Sequence, residues 1–292
     1  MKTLENANPI VTFMYFLCVF SCVMFSIDPF ISLISLVCSV CYAVIKNYMS
    51  NKRENIFFVI LFVVMTVLNP LFNHRGNTVF FYINDNAITM EALLYGMSTA
   101  TMIMSVIIWF KCFNRILTED KIIYVIGRVL PGFALMFSTI MRFVSLYTQQ
   151  WRKISDSRKA MGENEIGNVI SHIKNGISTF MIMVTWALEN GALTAESMDS
   201  RGYNSTKRTS YSRFFFHLAD LACLLVYLTF ALFIILTSVI NKISFNFYPD
   251  MVMSGNVYVR ITIYAIFFIM AVMPTILEIG DRLKWRKLKL TI

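Results

Sequence analysis

Two short runs near the middle of the chain carry the side chains best suited to a specific polar contact. They are Ser157-Arg158-Lys159-Ala160-Met161-Gly162 and Met198-Asp199-Ser200-Arg201-Gly202-Tyr203. Each closes a long stretch of helical periodicity. A glycine just past a helix end adopts the left-handed conformation at little cost. An arginine in the last turn is favoured by the helix dipole and projects a rigid fork of donors. That fork suits a carboxylate on a partner protein, and the small residues beside it let another surface approach closely. Taken alone, each tripeptide also reads as a basic helix end with a glycine cap. Other chemistry finds little footing. There is no Gly-x-x-x-x-Gly-Lys-Ser/Thr phosphate loop, so the chain is not expected to hydrolyse ATP, and no catalytic residue is assigned. His74, His172 and His217 are scattered, and Cys38-x-x-Cys41 sits in an apolar run without a companion histidine, so no metal site is expected.

The elements that position these runs follow from composition. Hydrophobic residues make up 57% of the 292, with 26 Phe and 19 Met. A soluble fold could not bury that surplus, and several stretches approach the roughly 18 apolar residues of a membrane span. The fold class read from this is all-α, a polytopic helical membrane protein with about six spans, near 10–27, 30–46, 56–72, 91–110, 218–240 and 258–280. The first is read as a retained span, since no small-x-small cleavage site stands out. Residues 73–90 are polar and turn-rich. The chain divides into spans one to four (1–110), a long insert (111–217), and spans five and six with a basic tail (218–292).

Net charge is +9, and its distribution sets the topology. With the N-terminus inside, 1–9, 46–55, 111–217 and 281–292 are all cytoplasmic, and they hold every Lys and Arg except Arg75, Lys242 and Arg260. Basic residues concentrate on the cytoplasmic side of membrane proteins, so both termini are expected inside and no nucleic-acid partner is implied.

Within the insert, Glu119-Asp120 precede an apolar run that reads as a short helix over 115–128, ended by Gly127 and the Leu130-Pro131-Gly132 break. A second helix is expected over 132–160. A third, over 165–199, places Ile166, Ile170, Ile173, Ile177, Phe180, Val184 and Leu188 on one face. Its middle, with Met181, Ile182, Met183 and Trp186, is apolar on the opposite side too, so lipid or another helix is expected to cover it. Glu189 is matched with Arg142 as an internal pair, and Asp220 and Glu278 are placed near membrane boundaries.

Together the pieces resemble the transmembrane T component of energy-coupling factor transporters, the EcfT/CbiQ family of ABC-type importers. Ser200-Arg201-Gly202 is similar to the second of the family's paired Ala-Arg-Gly-like motifs, and Lys207-Arg208-Thr209-Ser210 follows it. Ala160-Met161-Gly162 matches the first motif in part, with Met161 where arginine is expected. Arg142-Phe143, Trp151-Arg152-Lys153-Ile154 and Ile88–Gly96 are also similar to the family. The resemblance implies long cytoplasmic coupling helices in a bacterial or archaeal cell membrane. It implies two cytoplasmic ABC-type ATPase subunits docking at Ser200, Arg201, Gly202, Ala160, Met161, Gly162 and Arg158. It further implies a substrate-binding S component on the helix face of Ile173, Ile177, Phe180, Val184 and Leu188. No cofactor is then expected on this chain, ATP being used by the partners. At Met161, either the contact is apolar or Arg158, one turn earlier, supplies the charge; the second is the expectation. A self-contained secondary transporter or channel is the alternative; it would need polar groups or broken helices at mid-membrane depth, which are sparse.

Overall fold

A computed structural model describes residues 4–5, 7–26, 28–49, 51–73, 76–83, 86–162, 169–203, 214, 216–240, 245–248 and 251–291. Ile166 and the Lys207–Ser210 run lie outside these residues, as do His74, Arg75 and Lys242. The described residues form nine helices and two short hairpins. The helices are α1 (Pro9–Phe25), α2 (Pro29–Ile45), α3 (Lys52–Phe72), α4 (Met90–Ile116), α5 (Glu119–Val129), α6 (Pro131–Ala160), α7 (Val169–Ser200), α8 (Leu218–Ile240) and α9 (Val257–Thr291). Strands β1 (Val79–Ile83) and β2 (Asn86–Thr89) pair antiparallel, as do β3 (Phe245–Asn246) and β4 (Val252–Met253). Four helices, Lys52–Phe72, Met90–Ile116, Leu218–Ile240 and Val257–Trp285, are long and apolar enough to cross a membrane. Helices α1 and α2 are apolar and 17 residues each.

Local chemistry sets the helix starts. Asn8 accepts from the Ile10 amide (3.1 Å) ahead of Pro9, and Asn51 accepts from Arg53 (3.3 Å). Thr89 Oγ1 accepts from Ala92 (3.3 Å). Asp220 accepts from the His217 amide (3.1 Å) at the head of α8. Each satisfies a donor that the first turn leaves without a helical partner. Helix α4 runs six residues beyond its expected end at 110, and α9 continues as helix through the basic tail.

The chain divides into two compact units, one of Met1–Ile122 with Phe214–Ile292 and one of Ile123–Arg213. In the first, α4 packs between α2 and α3, α1 lies on α8, and α9 lies on α2 and α8. Small residues make the close approaches possible. Ser32, Ser35, Ser39 and Ala43 line the buried side of α2. At Gly96 a Cβ would stand 2.7 Å from the Thr66 carbonyl oxygen of α3, so only glycine fits there. Small-residue contacts of this kind are how helices associate where lipid removes the hydrophobic drive between them. The core is aromatic: Tyr15, Phe16, Tyr42 and Trp109 are buried together. Trp109 meets Tyr15 and Phe16 edge-on at 6.2 and 6.0 Å and donates its indole N–H to Ser35 Oγ at 3.1 Å.

Charged groups tie each end of this unit. At one end, Lys46 reaches Glu5 (3.0 Å) and the buried Glu278 (2.8 Å), and Arg282 also approaches Glu278 (3.8 Å) and donates to the Ile45 carbonyl. Lys121 donates to the carbonyls of Glu5 (2.9 Å) and Ile116 (2.8 Å). Burial alone would raise the Glu5 pKa; bonds from Lys46 and Tyr48, with the charges of Lys46 and Lys121, reverse this and hold it below the ordinary value. At the other end, Asp28 lies near Arg260 and Tyr264, and Tyr95 packs on Phe247 and Tyr248 of the second hairpin region. Burial is the larger influence on Asp28 and raises its pKa.

Candidate functional site: two capped helix ends

The second unit is dominated by α6 and α7, which form an antiparallel pair. Arg158 near the end of α6 donates through Nη1 to the Asn175 carbonyl and to Thr179 Oγ1, both at 2.8 Å, early in α7. Eleven residues back, Tyr147 meets Trp186 edge-on at 5.7 Å and stacks with Phe143 at 5.5 Å. As one helix is followed forward, its contacts run backward along the other.

The helix bounds follow from the sequence signals. Pro131 occupies the first turn of α6, where its missing N–H costs nothing. Both helices close on glycine with the same geometry. Gly202 has φ +80°; its amide donates to Asp199 O at 2.9 Å, and the Tyr203 amide donates to Met198 O at 3.0 Å. These are the two bonds of a Schellman cap. Gly162 has φ +81°, and its amide donates to Lys159 O at 3.0 Å, the equivalent of the first of those bonds. Ala160 therefore corresponds to Ser200, Met161 to Arg201, and Gly162 to Gly202. Both cap residues are exposed, Met161 at 72%. The equivalence seen in the tripeptides is thus an equivalence of backbone.

The antiparallel pairing puts these two ends far apart. The end of α6 lies beside the 175–179 turn of α7, and Arg201 lies about 35 Å further along α7 at 1.5 Å per residue.

Arg158 does not stand outward beside Met161. Its residue is 7% exposed and its guanidinium is turned into the pair, on Asn175 and Thr179. Among the residues from 123 to 203 whose side chains are described, Arg158 and Thr179 are the only buried ones, so the tightest contact among them is polar. The faces of α7 divide accordingly. Asn175, Thr179, Met183 and Trp186, at helical spacing, are buried or half-buried. Ile173, Ile177, Phe180 and Leu188 are exposed, Leu188 at 71%, and Val184 is half-buried. On α6, Phe133, Met136, Ile140 and Val144 are exposed as well. The most buried contact of the seam is polar, with the Tyr147–Trp186 ring contact beside it, while many apolar side chains stand outside, unlike a soluble helix pair.

The expected pairing of Glu189 with Arg142 is absent: both side chains are exposed, and among the described residues no ion pair joins them. Exposed positions do not force such a pair to form, because water solvates each charge on its own. Glu278, placed only near a membrane boundary by its position, is instead a buried partner of Lys46. The inward direction of Arg158 was missed, although Tyr147, Trp151, Ile154 and Arg158 recur at steps of four, three and four. The β1–β2 hairpin was also missed, despite the Val79–Ile83 run of branched and aromatic residues ahead of Asn84.

No family model matches the chain, and no curated protein matches it.

Proposed function

We propose that the chain is the transmembrane coupling subunit of an energy-coupling factor importer for vitamins or other micronutrients. It passes ATP-driven movement from two cytoplasmic ATPase subunits to a substrate-binding S component. The observation that carries the reading is the α6–α7 pair: two equivalent capped ends, about 35 Å apart, joined by helices whose exposed faces are apolar. Two ends so separated suit two partner subunits, one at each. A helix pair with a polar seam and an apolar exterior suits a lipid bilayer or a membrane-embedded partner along its length.

In this reading α1, α2, α3, α4, α8 and α9 make six spans, with both termini cytoplasmic. Support comes from the distribution of Lys and Arg, and from the clustering of Glu5, Lys46, Lys121, Glu278 and Arg282 at one end of the first unit. Arg201 would pair with a partner carboxylate, with Gly202 and Ser200 allowing close approach. The α6 end would dock through Ala160, Met161 and Gly162, and Arg158 would hold the pair in register from inside. The exposed face of Ile173, Ile177, Phe180 and Leu188, with Val184, would receive the S component. The chain itself performs no catalysis, binds no cofactor, and transmits force.

Removing one partner of a desolvated ion pair costs roughly 3–5 kcal/mol. Arg201→Ala is therefore expected to reduce ATPase co-purification and uptake far more than Met161→Ala. Wild-type-like uptake and co-purification for both variants would sink the proposal. Robust substrate uptake into vesicles containing this chain alone would overturn it in favour of a self-contained transporter.

A further inference from the structure

Away from the helix pair, the first unit holds a small cavity of about 170 Å³ at the Asp28 end of α2. Its polar lining is Ser26 and Asp28 from the α1–α2 turn, Ser32 from α2, and Tyr95, Ser98 and Thr99 from α4. Asp28 is 6% exposed, and its carboxylate does not cap α2, although an aspartate at that position ordinarily accepts from the first-turn amides. Its Oδ1 is buried without a hydrogen-bond partner among the described residues. A buried carboxylate oxygen in that condition is costly and calls for a partner. The hydroxyls of Ser32 and Thr99 do not supply one. Ser32 Oγ donates to the Pro29 carbonyl at 2.9 Å. Thr99 Oγ1 donates to the carbonyls of Tyr95 at 3.1 Å and Gly96 at 3.0 Å. A hydroxyl has one proton and two lone pairs, so with the proton committed to the backbone each offers a guest only lone pairs.

From this surplus of acceptors we infer that the cavity binds one small monovalent cation, of the sodium or potassium kind, held by Asp28 and the hydroxyl oxygens of Ser32, Ser98 and Thr99. Hard cations take oxygen ligands, with carboxylates foremost. The end of α1 favours the same charge. It closes at Ser26 in the cavity lining, and its last turn carries no basic side chain to meet the negative end of the helix dipole. Other features limit the charge of the occupant. Asp28 is the one acid among the lining residues, and Arg260, which donates to the Ser254 carbonyl at 2.6 Å, lies near it. The positive end of α2 is there as well. One carboxylate so opposed balances a single positive charge, whereas divalent calcium sites gather more oxygen ligands and more negative charge. Burial raises the Asp28 carboxyl pKa, so a proton is the cation's competitor. A cation held between Asp28 and Thr99 ties the α1–α2 turn to α4, and its binding stabilises the first unit by mass action. The site stands independently of the coupling reading.

The test uses the full-length chain in lipid nanodiscs, at mildly alkaline pH where the Asp28 carboxyl is ionised. Melting is followed in sodium, potassium or choline chloride at equal ionic strength, and binding is measured directly with radiolabelled sodium. Sodium or potassium is expected to raise the melting temperature by about 4 °C or more over choline, the shift a saturating ligand gives a chain of this size. Asp28→Asn keeps the shape of the side chain and is expected to abolish both the shift and the retained label. Thr99→Val removes one ligand oxygen and is expected to weaken sodium binding about tenfold. Glu5→Gln, at the other end of the unit, should keep the shift. The readout is a difference between salts, so a variant that merely loosens the fold lowers every melting point and preserves the difference. Equal melting in choline, sodium and potassium means that water alone fills the cavity and overturns the inference. A full shift in Asp28→Asn means that the cation acts elsewhere and overturns it too, as does a shift with calcium or magnesium but with neither monovalent salt. If Asp28→Asn does not fold, unchanged sodium affinity in Thr99→Val overturns the inference by itself.

Discussion

The two units of this molecule solve opposite problems. The body of α1–α4, α8 and α9 buries its own aromatic centre and ties charged groups at both ends. The α6–α7 pair buries almost nothing of its own, and its most protected contact is an arginine on a threonine hydroxyl and a backbone carbonyl. A unit with an internal core holds its shape unaided. A pair with its apolar residues outside depends for its stability on what covers them. The difference is one of local stability, which is set by buried apolar contact and varies across a structure.

The sharpest way to break this comparison is to strike the body's centre. Trp109 is fully buried among Tyr15, Phe16 and Tyr42. Trp109→Ala removes a large aromatic side chain and is expected to cost roughly 3–5 kcal/mol. The detergent-solubilised protein should melt at a markedly lower temperature. A melting point within a degree or two of wild type would mean that the aromatic cluster is not what holds the body together.

A smaller effect is expected at Arg158. Its bonds to Thr179 and Asn175 carry a charged donor, and such bonds contribute about 1.5–3 kcal/mol. Arg158→Ala should raise the rate of limited proteolysis within α6 and α7 by about ten- to a hundredfold, since each 1.4 kcal/mol is a factor of ten, while the body resists cleavage as before. Unchanged proteolysis would show that the Arg158 bonds do not hold the seam together.

How legible these features were depends on the kind of physics behind them. The ends of α6 and α7 were readable because glycine, proline and helix periodicity act locally: Leu130-Pro131-Gly132 opens α6, and Gly162 and Gly202 close the two helices. The second long helix followed from its periodicity, and the first from the break that opens it and the basic, glycine-capped end that closes it. The side of a helix that faces its neighbour was harder to read. The apolar stripe of Ile173, Ile177, Phe180 and Leu188 suggested a packing face, yet the seam with α6 runs along Asn175, Thr179 and Trp186. An apolar stripe marks a surface to be covered but does not say by what, whereas the seam is fixed by the Arg158 bonds and the Tyr147–Trp186 contact, which join residues far apart in sequence. Arg158 was hidden for the same reason: its partners Asn175 and Thr179 lie 17 and 21 residues away, and its basic surroundings read as an exposed helix end. Lys46 and Glu278 were beyond reach because their pairing joins residues far apart in sequence, and no local pattern encodes it.

The smallest predicted effect lies at the rim of the body, where Glu5 anchors the N-terminal segment to Lys46 and Tyr48. Its carboxyl is held below the ordinary glutamate value: burial alone would raise it, and the Lys46 and Tyr48 bonds with the nearby lysine charges outweigh that rise. A depressed carboxylate contributes stability that is fully present above its unfolded value and is lost as pH falls through its folded value. Glu5 is partly exposed, so solvent screening limits the contribution to less than about 1 kcal/mol. Glu5→Gln should therefore melt slightly below wild type at pH 7, and the gap should close as the pH drops below the ordinary carboxylate range. High salt should narrow it as well, because the exposed part of the pair is screened. The Arg158-dependent proteolysis of α6 and α7 should not change in this variant, since Glu5 belongs to the other unit. A Glu5→Gln melting difference that persists undiminished in acid would show that the residue acts through packing rather than charge. Accelerated cleavage of α6 and α7 would show that the two units share stability, and the contrast between them would fail at that point.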